Sequence, residues 1–284
     1  SANKMMLGAF NNLAEVEKIR KITQKLTAND FKTHTGVRLT ADATFEEVAD
    51  GGKIKHGTLG EDSFTYSVLT YGKMLGLTRQ MIINDDLNAF TSIPLKLGRG
   101  AALKMASVFW AVFYGNAGDF FHSDNGNLDS NGRACDDAGY QAAVALLEAM
   151  TDSNSDPIAA TPKYVVTPGA IASLAQKMFA SQNLIVVNQK TGSITSTKEG
   201  GSNIYSGRYE PISTPYLDGN DTADWYMLAD PADVAAFGVA YLDGRETPVI
   251  EEVEVSGEYL GRAWRGYFDF GACQIDHQGA VKMA

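Results

Sequence analysis

The sequence predicts an α+β fold with enough chain for one large or two modest domains. The chain has 284 residues, about twice a typical domain of roughly 150 residues. Apolar residues repeat at helical spacing over residues 3–27 and 84–114. Residues 36–76 and most of the chain after residue 225 instead alternate as strands do. Helices and strands therefore both contribute to the predicted core.

The composition is that of a folded protein with an acidic surface. Apolar residues make up 44% of the chain and charged residues 20%, close to the globular average. The 34 acidic and 24 basic residues give a net charge of −10, which argues against a surface that follows nucleic-acid phosphates. Two cysteines are too few for a disulfide framework or a multi-cysteine zinc site. No apolar run is long enough to span a bilayer, so we expect a soluble chain without a secretory signal.

The N-terminal residues 3–27 are predicted to form an amphipathic helix or arm. Their apolar positions follow one another at steps of three and four: Leu7, Phe10, Leu13, Val16, Ile19, Ile22 and Leu26. A single helix cannot bury such a stripe against itself. The arm therefore needs either the body of its own chain or a neighbouring subunit.

Residues 36–76 are predicted to contain a long hairpin. Phe64, Tyr66 and Val68 alternate with other side chains as in a strand, and residues 50–62 between the strand-like pieces are rich in glycine and charge. A hairpin with two mostly polar faces is marginally stable alone. We expect it to project from the subunit and pack on another one.

Residues 84–114 are predicted to form the longest helical segment. Asn84, Asp85 and Asp86 are good N-cap candidates, Pro94 predicts a break or restart, and Gly115 predicts the end. Another helix carries Tyr140 and Val144. Thr167 and Pro168 are predicted to begin a further helix after a short strand. The remaining strands are predicted at 225–228, 235–242, 249–255 and 262–275.

The chain has no recognisable catalytic motif. It lacks a nucleophile elbow, a phosphate-binding loop, a zinc-protease motif and a dinucleotide fingerprint. Gly98 and Gly100 lie inside the long helical segment, so they favour close packing over a phosphate site. Cys135 and Cys273 have no neighbouring base and are predicted to be buried thiols.

Three polar clusters allow a functional interpretation beside a structural one. Asp119, His122 and Asp124 could hold a metal, but loop capping by Asp and Asn side chains is favoured. The second cluster is interpreted as a solvated loop rather than a calcium site and contains Asp218, Asn220, Asp221 and Asp224. The third is interpreted as a solvated or subunit-facing strand rather than a glycosidase carboxylate pair and contains Glu251, Glu252 and Glu254. We assign no catalytic, cofactor-binding or metal-binding residue and expect no cofactor. A good core without site chemistry predicts an assembly protein.

Seven short motifs make this interpretation specific. The predicted order of elements is an arm, a long hairpin, a long helix, a mixed central region and a closing run of aromatic strand residues. This order resembles the Hong Kong 97-type major capsid fold of tailed phages. The motifs resemble the Mu-type major head subunits of that fold over about residues 45–284. The motifs lie at residues 55–61, 71–74, 77–80, 83–87, 97–102, 120–124 and 264–271.

The resemblance implies four regions in one subunit. Residues 1–35 would be the N-terminal arm and 36–80 the extended loop. Residues 81–160 and 245–284 would form the peripheral domain with its long spine helix, and 161–244 the axial domain.

The resemblance also implies a function and partners. The chain would be a non-enzymatic structural subunit that self-assembles into pentamers and hexamers of an icosahedral shell around phage double-stranded DNA. The expected partners are further copies, a portal protein, a scaffold or prohead protease, and a decoration protein, with no sequence-specific DNA contact and no membrane. The protein would be assembled in the host cytoplasm and reside in the virion.

Two further expectations concern maturation. Some family shells join a loop lysine to an asparagine of a neighbour, and Lys53 or Lys55 could supply the lysine. The stretch 256–260, where the partner would lie, contains no asparagine, so we expect a noncovalent shell. Because the chain begins at Ser1 without a methionine, we also expect Ser1 to be a maturation product.

Two alternatives stay open at the level of sequence. A cellular nanocompartment could use the same fold to enclose protein cargo. A hydrolase could use the loop that contains His122 and Asp124, although no second cluster of reactive residues supports it.

Overall fold

The computed structural model describes residues 2–41, 48, 59–84, 89–151, 156–180, 183–186, 199–203, 205–254 and 261–284. The α-helices in this part of the chain are α1 (Ala2–Asn11), α2 (Ala14–Ile22), α3 (Arg79–Asn84), α4 (Ala89–Tyr114), α5 (Asp137–Glu148) and α6 (Ala172–Ala180). The strands are β1 (Thr23–Ala28), β2 (His34–Ala41), β3 (Leu59–Tyr66), β4 (Leu69–Thr78), β5 (Leu128–Asp129), β6 (Pro162–Pro168), β7 (Asn183–Val186), β8 (Glu199–Ser202), β9 (Glu210–Thr214), β10 (Trp225–Ala229), β11 (Phe237–Leu242), β12 (Val249–Glu254), β13 (Gly261–Gln274) and β14 (Ala280–Met283).

The chain folds into two compact units. Unit 1 contains Ser1–Ala117, Asp152–Asp156 and Phe237–Ile275, and unit 2 contains Gly118–Thr151, Pro157–Ala236 and Asp276–Ala284. These limits differ from the predicted domain limits, because α5 packs on strands of unit 2 and β11 joins the sheet of unit 1. The assignment of peripheral and axial domains stays a prediction.

The sheet of unit 1 is built around the long strand β13. Strands β4, β11 and β12 all pair with β13 in antiparallel fashion, and β1 pairs with β11 in parallel. Trp264, Phe268 and Phe270 are buried on one face of β13, as two-residue alternation requires. The predicted strand at 262–275 is thereby confirmed to within one residue at each end.

The N-terminal arm packs on its own chain. Residues 3–27 are predicted from the sequence to form an amphipathic helix or arm. They form α1, α2 and the strand β1, so the alternative of one continuous helix was wrong. The chain leaves the helix at Ile22 because residues from Thr23 onward gain a parallel ladder with β11. Met6 and Phe10 are fully buried, and α1 and α2 pack against α4. The apolar stripe is thus covered within the subunit.

Helix α4 continues through Pro94, where a break was predicted. A proline removes one backbone hydrogen bond from a helix, but the twenty residues after Pro94 keep their helical pairing and bury most of one side. Phe109, Trp110 and Phe113 form part of this buried side. The predicted caps Asp85 and Asp86 lie outside the described residues.

The predicted hairpin is confirmed in its paired part. Strands β2 and β3 run antiparallel from the pair His34 and Tyr66 to the pair Ala41 and Leu59. Residues 49–58 of the predicted hairpin end lie outside the described residues. Tyr66 donates a hydrogen bond from its hydroxyl to the Thr27 carbonyl at 3.2 Å and stacks on His34 with ring centroids 5.3 Å apart. These contacts hold the base of the hairpin against the end of β1.

The sheet of unit 2 has the order β5-β14-β10-β6-β9. Helices α5 and α6 bury Tyr140 and Phe179 against Trp225, with the Tyr140 and Trp225 ring centroids 4.9 Å apart. The helix predicted after β6 is present, but it starts later than predicted. Thr167 and Pro168 end strand β6, where both pair with β9 in the parallel ladder. A 3-10 turn at Gly169–Ile171 follows directly and leads into α6.

Candidate assembly surfaces

The loop that contains His122 and Asp124 holds its own backbone in place. The Asp124 N–H donates to His122 Nδ1 at 3.1 Å, so the imidazole caps the short helical turn that follows. The Asn127 side chain accepts from the His122 N–H at 3.0 Å and donates to the Phe120 carbonyl at 2.8 Å. Among the described residues, no group of three His, Cys, Asp or Glu side chains is arranged to hold a metal ion. The geometry is that of loop capping.

The carboxylates of the acidic loop at residues 218–224 also bond to groups of the protein itself. Asp218 accepts a hydrogen bond from the Ala170 N–H at 3.1 Å, and Asp224 pairs with Lys282 at 2.7 Å. The N–H groups of residues 223 and 224 donate to Asp221, and these bonds lower the pKa of its carboxyl. The carboxylates of this loop therefore order the protein's own backbone and side chains.

The two cysteines are buried thiols, as predicted. Burial raises the pKa of Cys135 to about 11, although the hydroxyl of Tyr140 lies 2.8 Å from its sulfur. Burial likewise raises the pKa of Cys273 to about 12. A thiol with so high a pKa has almost no reactive thiolate near neutral pH.

The acidic strand β12 forms ion pairs with β13. Arg265 donates two hydrogen bonds to one oxygen of Glu251, at 2.7 and 2.8 Å, and Tyr267 donates to the other oxygen. These bonds lower the pKa of Glu251, whereas a glycosidase acid needs a raised pKa. Glu252 pairs with Arg262 at 3.0 Å. The pairs belong to the sheet and have the geometry of cross-strand contacts.

A buried polar contact joins the N-terminal arm to α4. Trp110 donates from its indole nitrogen to one oxygen of Glu15 at 3.1 Å, and Lys18 donates to the other oxygen at 2.6 Å. Burying a carboxylate is unfavourable unless it is paired in this way. The sequence analysis missed this contact because residues 15 and 110 are far apart in the chain.

Unit 1 exposes several large apolar side chains that the subunit itself does not cover. Strand β4 exposes Leu69 and Met74, the latter to 62%, and the adjoining helix α3 exposes Met81 and Ile83, the latter to 63%. We call these four residues the β4–α3 surface. Strand β4 pairs with β13 along one edge, and within the described residues no strand pairs with its other edge. An exposed edge with apolar side chains is typical of a surface that a partner covers.

The β4–α3 surface was not predicted from the sequence. Met74 and Ile83 lie in two of the seven motifs, but the exposure of a side chain depends on which neighbours the fold provides. Within the described residues, no helix is both long enough and apolar enough to cross a membrane.

A family described as "Phage capsid protein" matches residues 61–283. A search of curated proteins returned no match. Among solved structures, the chain is similar to one from Microbacterium phage Oxtober96, with 11% identity, 93% of this chain and 89% of that chain covered, and a TM-score of 0.58. It is also similar to the capsid structure of Cyanophage P-SCSP1u, with 12% identity, coverage of 93% and 86%, and a TM-score of 0.56.

A third similar structure is the crystal structure of a virus-like particle from Pyrococcus furiosus. It is 11% identical, with 100% of this chain and 97% of that chain covered and a TM-score of 0.54. Identities this low establish the fold, and the family match establishes the kind of protein. The narrower resemblance to Mu-type head subunits stays a prediction. The chain belongs to the phage capsid protein family and has the fold of Hong Kong 97-type major capsid proteins.

Proposed function

We propose that many copies of this chain assemble into the pentamers and hexamers of an icosahedral shell that encloses phage double-stranded DNA. The observation that carries the proposal is the capsid family match over residues 61–283. Its physical support is the β4–α3 surface, which places exposed apolar side chains beside a strand edge. Contacts with several neighbours would add up, because each further contact within an assembly is effectively intramolecular.

The regions implied by the resemblance supply the parts of such a shell. The hairpin of β2 and β3 would be the base of the extended loop and α4 the spine helix, with axial loops drawn from residues 161–244. Subunits related head to tail must close into rings or propagate without limit. We propose that these subunits close into rings of five and six copies.

We infer a structural role rather than catalysis. In the described residues, the polar clusters singled out by sequence analysis cap turns or form ion pairs within the subunit, as His122 and Glu251 do. The net charge of −10 supports a wall that does not adhere to DNA. The protein would act in the virion after assembly in the host cytoplasm. Its further partners would be a portal protein, a scaffold or prohead protease, and a decoration protein.

We propose that the shell is held together noncovalently. Lys53, Lys55 and residues 256–260 lie outside the described residues, so support comes from the sequence, which has no asparagine at 256–260. Denaturing gels of assembled particles should show the monomer band. A ladder of covalent oligomers would overturn this part of the proposal.

Electron microscopy of the purified protein tests the main proposal. The expected result is closed particles of uniform diameter, and His122→Ala should assemble like the unmodified chain. A stable monomer at high protein concentration would contradict the proposal. Loss of a hydrolase activity in His122→Ala, with intact particles, would contradict the non-enzymatic role.

The similarity to the Pyrococcus furiosus virus-like particle supports a second candidate, a nanocompartment shell. Particles isolated from the native source distinguish the two candidates by their contents. Double-stranded DNA inside the particles supports the phage shell. Protein cargo without DNA supports the nanocompartment.

A further inference from the structure

A cavity of about 750 Å³ lies within unit 1, bounded by α1, α4, β4 and β13. Its volume falls in the range of roughly 300–1,000 Å³ that is typical of small-molecule sites. Much of the lining is apolar or aromatic: Met6, Tyr71, Leu75, Leu97, Phe268 and Phe270. The cavity has the size and the apolar lining of a ligand site.

Three lysines, Lys73, Lys96 and Lys104, also line this cavity. The ammonium of Lys104 lies 4.9 Å from the centroid of the Tyr71 ring, and all three side chains are exposed to solvent. Among the described residues, no carboxylate lines the cavity or forms an ion pair with these lysines. Three cations without an acidic partner are notable in a chain whose net charge is −10.

A comparison of two glycines in α4 supports a functional cavity. A Cβ atom at Gly98 would lie 2.2 Å from the Met6 carbonyl oxygen, so close packing with α1 requires glycine there. A Cβ atom at Gly100 would meet no atom within 4 Å, and Gly100 lines the cavity. Glycine inside a helix costs about 1 kcal/mol relative to alanine. No packing contact requires glycine at position 100, and the open space beside it belongs to the cavity.

We propose that this cavity binds an amphiphilic carboxylate, a small molecule with an apolar chain or ring and one carboxylate group. The apolar part would pack against the half-buried side chains of Tyr71, Leu75 and Tyr267, and the carboxylate would lie among the three lysines. A nucleic-acid backbone would meet the lysines but leave the apolar lining unfilled. A cationic amphiphile would fill the lining but be repelled by the lysines. The carboxylate satisfies both halves of the site.

Dodecanoate is a suitable probe, titrated below its micelle concentration into dissociated subunits and followed by calorimetry. We expect saturable binding at one site per chain. Dodecanol and dodecyltrimethylammonium, which have the same chain but no negative charge, should bind at least about tenfold more weakly. Absence of saturable dodecanoate binding, or equal binding of the three amphiphiles, would overturn the proposal.

Variants place the binding in this cavity. Gly100→Leu should weaken dodecanoate binding more than about tenfold because its side chain occupies part of the site, while the helix gains intrinsic stability. Lys104→Gln should weaken binding about tenfold through loss of a charged hydrogen bond. Arg99→Gln is the matched control, because Arg99 is exposed on the same helix and does not line the cavity. It should bind as the unmodified chain does.

Circular dichroism and thermal melting of each variant separate a filled cavity from a misfolded subunit. If Gly100→Leu or Lys104→Gln folds and binds dodecanoate normally, the proposal fails. If Gly100→Leu misfolds, Gly100→Ala and Lys104→Gln decide the question, with weaker binding expected from both. Electron microscopy of the same preparations reports shell assembly separately. Failure of ligand binding is therefore distinct from failure of the proposed capsid function.

Discussion

The central strands of unit 2 and the edge strand β4 of unit 1 are buried to different degrees. In unit 2, all five residues of β10 are buried, and so are the last five residues of β6. In unit 1, strand β4 buries Leu77 but exposes most of its other residues, including Met74. Strands β10 and β6 obtain their packing partners within unit 2. Strand β4 leaves exposed apolar side chains at a strand edge, which we propose a neighbouring subunit covers.

This comparison predicts that unit 2 is more sensitive to loss of its core than unit 1 is to loss of its exposed apolar residues. Trp225 is fully buried against Tyr140, and its indole N–H donates to the Arg133 carbonyl at 3.0 Å. Trp225→Ala should therefore lower the free energy of unfolding by about 3–5 kcal/mol. Denaturant unfolding of dissociated subunits measures the loss.

Met74→Ala is the matched control for Trp225→Ala. Because Met74 is 62% exposed, its truncation should change the free energy of unfolding by less than about 0.5 kcal/mol. Equal losses in the two variants would show that the two sheets do not differ in the way described.

The β4–α3 surface should matter for assembly rather than for folding. Met74→Asp places a charge where we propose that a neighbour packs, and burying an unpaired charge is strongly unfavourable. We expect subunits that melt like the unmodified chain but form few or no particles. Electron microscopy and sedimentation measure this. The exposed Lys32→Asp, on a different part of unit 1, is a control that changes charge outside this surface.

Normal shell formation by Met74→Asp would contradict the assembly role of the β4–α3 surface. A strong loss of thermal stability would mean that Met74 contributes to the subunit core, contrary to its exposure. Either result would remove the proposed difference between the two sheets.

Within unit 1, the packing of α1 on α4 should depend on Gly98. A Cβ atom there would lie 2.2 Å from the Met6 carbonyl oxygen, which belongs to the backbone and cannot rotate away. Gly98→Ala should therefore destabilise the subunit by about 1–3 kcal/mol despite the better helix propensity of alanine. Gly100→Ala, on the same helix with open space around it, should be neutral or stabilising. Equal effects would contradict this account of the arm.

Local patterns in the sequence predicted the elements that depend on neighbours in the chain. The alternation of Phe64 and Tyr66 correctly predicted a hairpin strand, and the helical spacing around Phe109 predicted α4. Elements that depend on distant residues were missed or misassigned. Thr23 begins a strand because it pairs with Phe237, and Thr167 stays in a strand because it pairs with Ser213. Local propensity carries no information about such partners.

The candidate surfaces also divide into features that depend on neighbours in the chain and features that depend on distant residues. The polar loop around His122 could be interpreted from the sequence as a capped loop, because capping acts over a few residues. The cavity, in contrast, brings Lys73 of β4 and Lys96 and Lys104 of α4 to one site through the pairing of β4 with β13. The exposure of Met74 likewise depends on the unpaired edge of β4. Sequence patterning supplies no signal for either.

The ionisation of Asp129 should make the stability of unit 2 depend on pH. Burial raises the pKa of its carboxyl, but hydrogen bonds from Asn131 and Arg133 lower it by more, so the net shift is downward. A lowered pKa means that the ionised carboxylate stabilises the fold above the ordinary Asp pKa of about 3.9. That stabilisation is lost as the pH falls through the pKa of the folded protein.

Asp129→Asn should therefore be less stable than the unmodified chain by about 1–3 kcal/mol near neutral pH. The difference should shrink as the pH falls below about 4. Denaturant unfolding at a series of pH values measures it. Asp137→Asn, in the first turn of α5 in the same unit, provides the comparison. A difference that grows on acidification would contradict the assigned direction of the Asp129 shift.

The smallest effect is expected at the ion pairs on the exposed face of the unit 1 sheet. Glu251 and Arg265 form a two-bond contact, but both side chains are exposed, at 39% and 57%. Exposed ion pairs are screened by water and salt, so their net contribution is small. A double-mutant cycle with Glu251→Gln and Arg265→Gln should give a weak coupling in dissociated subunits that disappears in high salt. Because hydrogen bonds from Arg265 lower the pKa of Glu251, the coupling should also disappear on acidification. A coupling as large as the loss from Gly98→Ala would mean that this face is shielded from solvent, and the contrast with the buried sheet of unit 2 would fail.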